Sequence, residues 1–311
     1  MKADKQAISS PAPMNVFDRN KIRQFRDRAA PTIEDHNFLF NWALDNIHDR
    51  LDIIKREFTD ALFIGARQSP ADLQKLCAKQ NIENISVMDL SPRLLERQSY
   101  PVIHADEEIM PLSSASLDLI ISNLNMHSVN DVPGALIQIN KALKPDGLFM
   151  AAMFGGDTLT ELRQVLSQAE MNIRGGISPR IFPFADKQQM GNLLQRAGFA
   201  LPVIDSDIVT VTYDNIFKLL SDLRGMGESN AIMARDKSPL PRAVIMEAAK
   251  LYQEQFSDTD NRISATFEII FLLGWAPHET QQKPLRPGSA KTNLADALNT
   301  EEIEAGEKPN P

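Results

Sequence analysis

The sequence predicts an α/β fold: a doubly wound, mostly parallel sheet of seven strands with helical additions. Short apolar runs alternate with helical segments from Asp60 to Phe154. That alternation requires crossover connections and covers a parallel sheet on both faces. Two longer apolar segments follow, with helices between them, and they suit an antiparallel pair that completes the sheet. The hydrophobic share of 43% and the charged share of 24% are those of a globular protein with a packed core.

The individual elements follow from local signals. Serine–proline pairs at Ser69 and Ser91 supply a helix cap and a first-turn proline. The proline and glycine of Lys144–Gly147 stop a helix. The predicted strands are 61–65, 85–89, 102–106, 117–123, 148–154, 203–213 and 263–275, and the later helices are 131–143, 157–171, one ending at Ala197-Gly198, 214–226 and 242–256.

The N-terminal part of the chain predicts two helices. Residues 15–30 carry five basic side chains, with Phe17, Lys21 and Phe25 at helical spacing, and predict a basic surface helix. This helix is either a solvated element or a docking arm for a partner. A second helix carries an apolar stripe from Phe40 to Phe58 that packs on the sheet. Residues 1–13 are predicted to be disordered, 14–276 to form the domain, and 277–311 to be a mobile tail rich in proline and acidic residues.

Charge and cysteine usage exclude several classes of protein. A net charge of -8 argues against a general nucleic-acid binder, which needs a basic surplus to neutralise phosphates. One cysteine, Cys77, excludes an internal disulfide and a cysteine-ligated zinc or iron–sulfur site. The sequence contains no apolar run of about 20 residues that could span a membrane. It also lacks the pattern of a signal or transit peptide, and we therefore expect a bacterial cytoplasmic protein.

Candidate site residues lie at the ends of four predicted strands. Gly65 ends the first strand, and Asp89 ends the second, where an acidic side chain can accept both hydroxyls of a ribose. Asp106 and Glu107 follow the third strand, and Asn123 ends the fourth. Because ligands of open α/β sheets bind at the carboxyl ends of the strands, these residues predict one ligand site.

Longer sequence motifs indicate a family resemblance. The chain resembles the class I S-adenosylmethionine-dependent methyltransferases, which have a Rossmann-like fold, and the branch that contains malonyl-carrier-protein methyltransferase. Within that branch it looks like the NADH dehydrogenase (complex I) assembly-factor members. ALFIG (61–65) is one of the segments that carry the general methyltransferase likeness. The segments that carry the assembly-factor likeness are MNVFDR (14–19), ADEE (105–108), FGGDTLTELR (154–163), GMGESN (225–230), SATFEI (264–269) and LGWAPHE (273–279).

The resemblance implies S-adenosylmethionine as cofactor and a role for each strand-end residue. Gly65 would lie under the methionyl part and Asp89 would hold the ribose. Asp106 and Glu107 would flank the adenine, and the backbone of Asn123 would lie near the methionyl amine. It also implies a protein substrate in complex I, modified by methylation or by arginine hydroxylation.

The turn after the first strand departs from the family pattern. The family has an acidic residue followed by a glycine-rich G-x-G turn, whereas this chain has the sequence Phe63-Ile64-Gly65-Ala66-Arg67-Gln68. Arg67 could pair with the methionyl carboxylate or could block the pocket. If it blocks the pocket, the chain is a non-catalytic assembly chaperone. A malonyl-carrier-protein O-methyltransferase is a further alternative.

Other residues leave two interpretations each. His127 and Arg163 are the candidate catalytic residues, but His127 could instead be bonded to its loop, and Arg163 could form a surface pair with Glu161. His104, Asp106 and His127 could form an iron site, but that arrangement normally occurs in a β-barrel, and we predict no metal. The motif GMGESN could be a helix end with a turn.

Overall fold

The computed structural model describes residues 15–282, 289 and 293–300. The chain divides into two units, with the division between Pro277 and His278. In the second unit the structure describes one short helix, Leu294–Leu298. The predicted disordered segment, residues 1–13, lies outside the described residues, as does most of the predicted tail, 277–311. The boundaries of the predicted domain therefore stay a prediction.

The first unit is built on the predicted seven-stranded sheet. Its order is β3-β2-β1-β4-β5-β7-β6. Strands β1 to β5 pair in parallel, and β7 pairs antiparallel with both β5 and β6. The predicted doubly wound sheet with a final antiparallel pair is confirmed. The strands are β1 (Asp60–Ile64), β2 (Asn84–Asp89), β3 (Val102–His104), β4 (Leu117–Asn123), β5 (Leu143–Phe154), β6 (Ala200–Tyr213) and β7 (Ile263–Trp275).

Helices cover both faces of this sheet. Ala61 and Phe63 of β1 belong to one hydrophobic core, and Leu62 and Ile64 belong to the other, as the two-residue repeat of a strand requires. No described helix is long and apolar enough to cross a membrane. The helices of this unit are α1 (Arg19–Ala29), α2 (Phe38–Asp52), α3 (Pro70–Lys79), α4 (Pro92–Leu95), α5 (Val132–Ala142), α6 (Thr160–Arg174), α7 (Lys187–Arg196), α8 (Ile216–Gly225) and α9 (Arg242–Phe256).

Some element ends differ from the sequence prediction. β3 ends at His104, and Asp106 lies beyond it in a turn that bridges to Ile109. β5 begins at Leu143, because Leu143 pairs with Leu117 before an irregularity in the register. Asp157 does not cap a helix: α6 begins at Thr160, preceded by Leu159 with a φ of 55°.

The buried face of α1 also differs from the prediction. The helix lies in the predicted basic segment, but it buries Ile22, Arg26 and Ala29 instead of a face through Lys21 and Phe25. Arg26 is 1% exposed. A buried guanidinium requires anionic partners, which the sheet edge supplies. The prediction of a solvated basic helix is therefore wrong for this face.

Candidate functional site

The carboxyl ends of the first four strands meet along one edge of the sheet. Ile64 of β1 pairs with Met88 of β2 and with Ser122 of β4, and Asp89 pairs with His104 of β3. These pairings place Gly65, Asp89 and Asn123 on the same rim. Sequence order alone had indicated this grouping.

Gly65 adopts a conformation that other residues rarely take. Its φ is +105°, and a Cβ atom there would lie 2.9 Å from the Asn123 carbonyl oxygen and 3.1 Å from Asn125 Nδ2. The missing side chain therefore allows the turn after β1 to approach the loop after β4.

Asp89 is completely buried and has three donors around it. Oδ2 accepts a hydrogen bond from the Ala66 amide at 3.0 Å, and Oδ1 accepts one from the Ser91 amide at 2.7 Å. Arg26 Nη1 lies 3.3 Å from Oδ1. The side-chain carboxylate is 0% exposed. The residue predicted to hold a ribose is thus covered by α1.

Glu107 is the second buried acid at this rim. It accepts hydrogen bonds from Arg26 Nη1 at 3.0 Å and from Asn125 Nδ2 at 3.1 Å, and it forms an ion pair with Arg19. Arg19 also binds Asp106, with 2.7 Å between Nη2 and Oδ1. Burial alone would raise the pKa of Glu107, but the two arginines lower it to about 2. Glu107 is therefore ionised, and both acids predicted to flank an adenine are paired with Arg19.

Arg67 contacts protein groups on three segments of the chain. Its guanidinium is buried, lies 4.3 Å from the Phe40 ring centre, and donates to Asn125 Oδ1 at 2.8 Å. It also bonds the Leu124 carbonyl oxygen and the Glu228 carboxylate. Arg67 thus joins the turn after β1 to the segment after α8. Burial lowers its pKa.

His127 lies beside Glu228, at the end of β4. Its Nε2 is 3.2 Å from Glu228 Oε2, while its buried Nδ1 has no partner among the described residues. Burial lowers the pKa of His127, and for Glu228 the positive charge of Arg67 and the bond to His127 outweigh burial and lower the pKa. This arrangement is a neutral imidazole that donates to a carboxylate.

Aromatic rings surround His127. The ring centres of Phe154, Phe184 and Phe182 lie 4.8, 5.9 and 6.5 Å from that of His127. They form one wall of a cavity of about 380 Å³. Its other lining residues are Thr158, Leu159, Leu162, Leu166, Arg180, Ile181, Leu220, Leu223, Arg224, Glu228, Ser229, Asn230, Leu240 and Phe267. A largely apolar cavity with a few polar groups is typical of a ligand site.

The helix that carries Arg163 borders the same region. Arg163 donates to the carbonyl oxygens of Gly156 and Thr158, the latter at 3.2 Å. Glu161 instead accepts a hydrogen bond from the Thr266 amide at 3.1 Å. The alternative of a surface pair between Glu161 and Arg163 is therefore wrong.

The remaining site residues have local partners. Asn123 Nδ2 donates to the Phe40 carbonyl oxygen at 2.9 Å, and the buried Asn123 Oδ1 has no partner among the described residues. His104 Nε2 contacts the Leu90 carbonyl oxygen at 3.1 Å. Among the residues that the structure describes, no cluster of three metal-binding side chains occurs.

Two residues of this region were missed as site residues by sequence reasoning. Arg26 was assigned to a surface helix, and Glu228 was noted only as part of the GMGESN turn. The signal available for Glu228 was that motif itself, since an acid follows the positive-φ Gly227. Nothing local to Arg26 distinguishes it from the other basic residues of α1.

The fold and the strand-end site define the class of protein. A family model described as "Methyltransferase domain" matches residues 19–202, more than half of the chain, and the chain belongs to this family. The structure of the YcgJ protein from Bacillus subtilis has the same fold, with a TM-score of 0.52 and 13% identity over 76% of this chain and 98% of that one.

Sequence comparison with known relatives identifies the branch of the family to which the chain belongs. The chain is 38% identical to "Arginine-hydroxylase NDUFAF5, mitochondrial" of Danio rerio, over 94% of this chain and 92% of the relative. The human relative of the same name is 38% identical over 93% and 85%. "Malonyl-[acyl-carrier protein] O-methyltransferase" of Xylella fastidiosa is 30% identical over 84% and 89%. The chain therefore belongs to the NDUFAF5 family within the methyltransferase-domain proteins, and the resemblance found in the sequence is confirmed.

The comparisons correct one prediction and support another. The expected bacterial cytoplasmic location is wrong, because the NDUFAF5 relatives are mitochondrial proteins. The family match supports S-adenosylmethionine as the cofactor. A glycine, a carboxylate and an amide lie at the ends of β1, β2 and β4 on one rim, but Arg26 already pairs with the carboxylate.

Proposed function

We propose that this chain modifies an arginine side chain in a protein subunit of respiratory complex I. The observation that carries this proposal is the 38% identity to arginine-hydroxylases along more than nine tenths of the chain. The relatives align over most of their own length as well, and the proposal therefore concerns the whole chain and not a shared module.

The cavity at the end of β5 has a chemistry that suits the proposed substrate. The faces of Phe154, Phe182 and Phe184 can attract a cation through their π electrons, and aliphatic walls can pack on the arginine stem. Glu228 is the acid of the lining, which also contains Arg180 and Arg224. A guanidinium is planar and weakly hydrated, and it enters such a pocket more readily than an ammonium group does.

Three buried side chains would orient the substrate. Glu228 keeps the proton of His127 on Nε2, and this leaves the buried Nδ1, beside the rings that line the cavity, as an unpartnered acceptor. Arg67 fixes Glu228 in place. Positioning of this kind can contribute a large part of the rate in a group transfer.

The cofactor would lie beside this cavity. Gly65, Asp89, Asp106, Glu107 and Asn123 are the residues proposed to hold it, and bound S-adenosylmethionine would supply an activated methyl group. In methyl transfer, this chain's own task is to align the substrate nitrogen and to accept its proton.

A mass measurement distinguishes methylation from hydroxylation. The purified protein is incubated with S-adenosylmethionine and with arginine-containing peptides from complex I subunits. Air supplies the oxygen that hydroxylation needs, and ascorbate is added as the two-electron reductant. We expect one peptide to gain either one methylene or one oxygen atom on an arginine. Glu228→Gln should reduce the modified fraction, whereas Asp49→Asn, an exposed change, should not. If S-adenosylmethionine binds but no subunit peptide changes mass, the proposal is wrong.

A second candidate is a non-catalytic assembly chaperone. The observation that favours it is the pairing of Arg26 with Asp89 and Glu107, which fills the predicted cofactor site with protein atoms. A chaperone would bind the subunit without any change in its mass. Malonyl-carrier-protein methylation is the third candidate, supported by the relative from Xylella fastidiosa, and malonyl-carrier protein in the same assay tests it.

The partner would dock near α1. Arg28 is exposed on this helix and donates to Ser229 Oγ at 3.1 Å, next to the cavity lining. We propose that Arg28 contacts acidic groups of the subunit. Arg19 and Arg26 do not contribute, because their charges point into the site.

A further inference from the structure

Arg26 connects α1 to the carboxyl ends of β2 and β3. Nη1 contacts Glu107 Oε1 at 3.0 Å and Asp89 Oδ1 at 3.3 Å, and Nη2 lies 3.4 Å from Ser128 Oγ. The three charged side chains are 0 to 1% exposed. One guanidinium therefore neutralises two buried carboxylates.

The same contacts leave no room for a ribose at Asp89. To accept two hydroxyls, the carboxylate must present its oxygens to the ligand, but the side chain is fully buried and Arg26 lies against Oδ1. With no exposed carboxylate surface, a nucleoside can reach Asp89 only after Arg26 has moved.

Arg26 cannot leave by losing its proton. Burial by itself lowers its pKa, but Asp89 and Glu107 more than compensate and raise it. The guanidinium stays charged, as arginine does in proteins generally. Its departure must therefore be a displacement of the side chain or of the helix that carries it.

A second arginine of α1 also pairs with acids of this site. Arg19, two helical turns before Arg26, pairs with Asp106 and Glu107 on the same face. Before the helix, the Asp18 amide donates to the Ala231 carbonyl oxygen at 2.8 Å. This backbone contact can stay in place while the later part of the helix moves.

We propose that Arg26 is a residue of the nucleoside site itself: its guanidinium and the ribose of the cofactor are alternative partners of Asp89, and cofactor binding displaces α1. This inference rests on the proposed function only through the identity of the cofactor. It concerns access to the site and not the substrate or the product.

The competition reduces the apparent affinity for the cofactor. Binding to a state that is populated only in part weakens the observed affinity by that population. We expect Arg26→Gln to bind S-adenosylhomocysteine about tenfold more tightly than the parent, which corresponds to an open state in roughly one molecule in ten. Gln24→Ala, at an exposed position of the same helix, is the control and should bind as the parent does.

Hydrogen exchange in the parent protein gives an independent test. On addition of S-adenosylhomocysteine, the amides of residues 22–29 should exchange faster, while those of α2 should not. This measurement needs no variant, and it decides the question if Arg26→Gln fails to fold.

The outcomes separate this inference from the proposed function. Weaker or unchanged binding by Arg26→Gln, or equal protection of α1 with ligand bound, overturns the inference even if an arginine is modified. Tighter binding with faster exchange supports it even if no peptide changes mass. Absence of binding by both parent and variant overturns it as well.

Discussion

Two adjoining regions of one sheet edge differ in what fills them. At the ends of β2 and β3, Arg26 and Arg19 pair with Asp89, Asp106 and Glu107, and Arg26, Asp89 and Glu107 are buried. At the end of β5, Phe154 borders a cavity of about 380 Å³ with mainly apolar walls. We call these the charged cluster (Arg19, Arg26, Asp89, Asp106 and Glu107) and the aromatic cavity (the lining given above).

The difference indicates how each region can bind a ligand. A ligand at the charged cluster must replace a partner that the protein already supplies, since a buried carboxylate cannot stay unpaired. A ligand at the aromatic cavity meets walls with few polar bonds to break. A ligand therefore displaces protein groups at the charged cluster, whereas in the aromatic cavity it fills existing space.

The largest expected effect is a loss of unfolding free energy when the side chain that links the two regions is removed. Arg67→Gly removes a buried guanidinium that joins Asn125 to Glu228, and it leaves the Glu228 carboxylate poorly compensated. We expect the free energy of unfolding to fall by about 3 to 5 kcal/mol. Urea unfolding followed by circular dichroism measures it. Arg93→Gly, an exposed change in α4, should cost no more than about 1 kcal/mol. Equal losses in the two variants would show that Arg67 has no role in joining the regions.

The next effect concerns ligand exchange at the charged cluster. Asp89→Ala should weaken the binding of S-adenosylhomocysteine by roughly 2 kcal/mol, because charge-assisted hydrogen bonds to the ribose are lost. Isothermal titration calorimetry gives the affinity. Asp49→Ala is the control, since Asp49 is an exposed acid of α2. Unchanged affinity of Asp89→Ala would place the ribose elsewhere.

The third effect tests the aromatic cavity. Phe182 is 7% exposed and lines the cavity, and part of its ring already lacks packing partners. Phe182→Ala should therefore cost about 1 to 2 kcal/mol of unfolding free energy, less than the usual ~3 to 5 for a fully packed phenylalanine. Phe217→Ala, at an exposed position of α8, should cost less than about 0.5 kcal/mol. A loss of the full size for Phe182 would mean that the ring is packed on all sides.

The smallest expected effect is that the two regions lose their contributions to the free energy of unfolding in different pH ranges. The folded-state pKa of His127 lies below its ordinary 6.5, and its contribution to stability is present above pH 6.5 and lost as the pH falls below it. Glu107, with a pKa lowered from 4.5 to about 2, contributes above pH 4.5 and loses that contribution as the pH falls toward about 2.

Measuring the free energy of unfolding as a function of pH tests whether the two contributions are lost in different pH ranges. His127→Gln should flatten the curve just below pH 6.5, and Glu107→Gln should flatten it between about pH 4.5 and 2. Glu228 also loses stability at acidic pH, so the window near pH 6.5 is the one specific to His127. Two variants with identical pH slopes would contradict the separation.

The sequence predicted most of the sheet because its signals are local. β4, β7 and α9 have the predicted bounds, and Asp89 ends β2 as expected. Apolar runs and serine–proline starts act within a few residues of the position they determine. The predicted end of β3, at Asp106, lies beyond the observed end of the strand. β3 is a short strand beside β2, and its end depends on that pairing.

The side-chain partners could not be predicted in this way. Arg26 meets Asp89 from 63 positions away, and Arg67 meets Glu228 from 161 positions away. The basic pattern of α1 gives the same signal whether an arginine faces water or a buried acid. Only the packed position of the helix distinguishes the two cases.

By itself, the sequence determined the class of fold, the position of the strands along the chain and the residues that end β2, β4 and β5. Tertiary structure decided what those residues contact: α1 brings Arg26 to Asp89, and the turn after α8 brings Glu228 to His127 and Arg67. The physical reason is that strand patterns depend on neighbours in the chain, whereas neutralising a buried charge depends on neighbours in space.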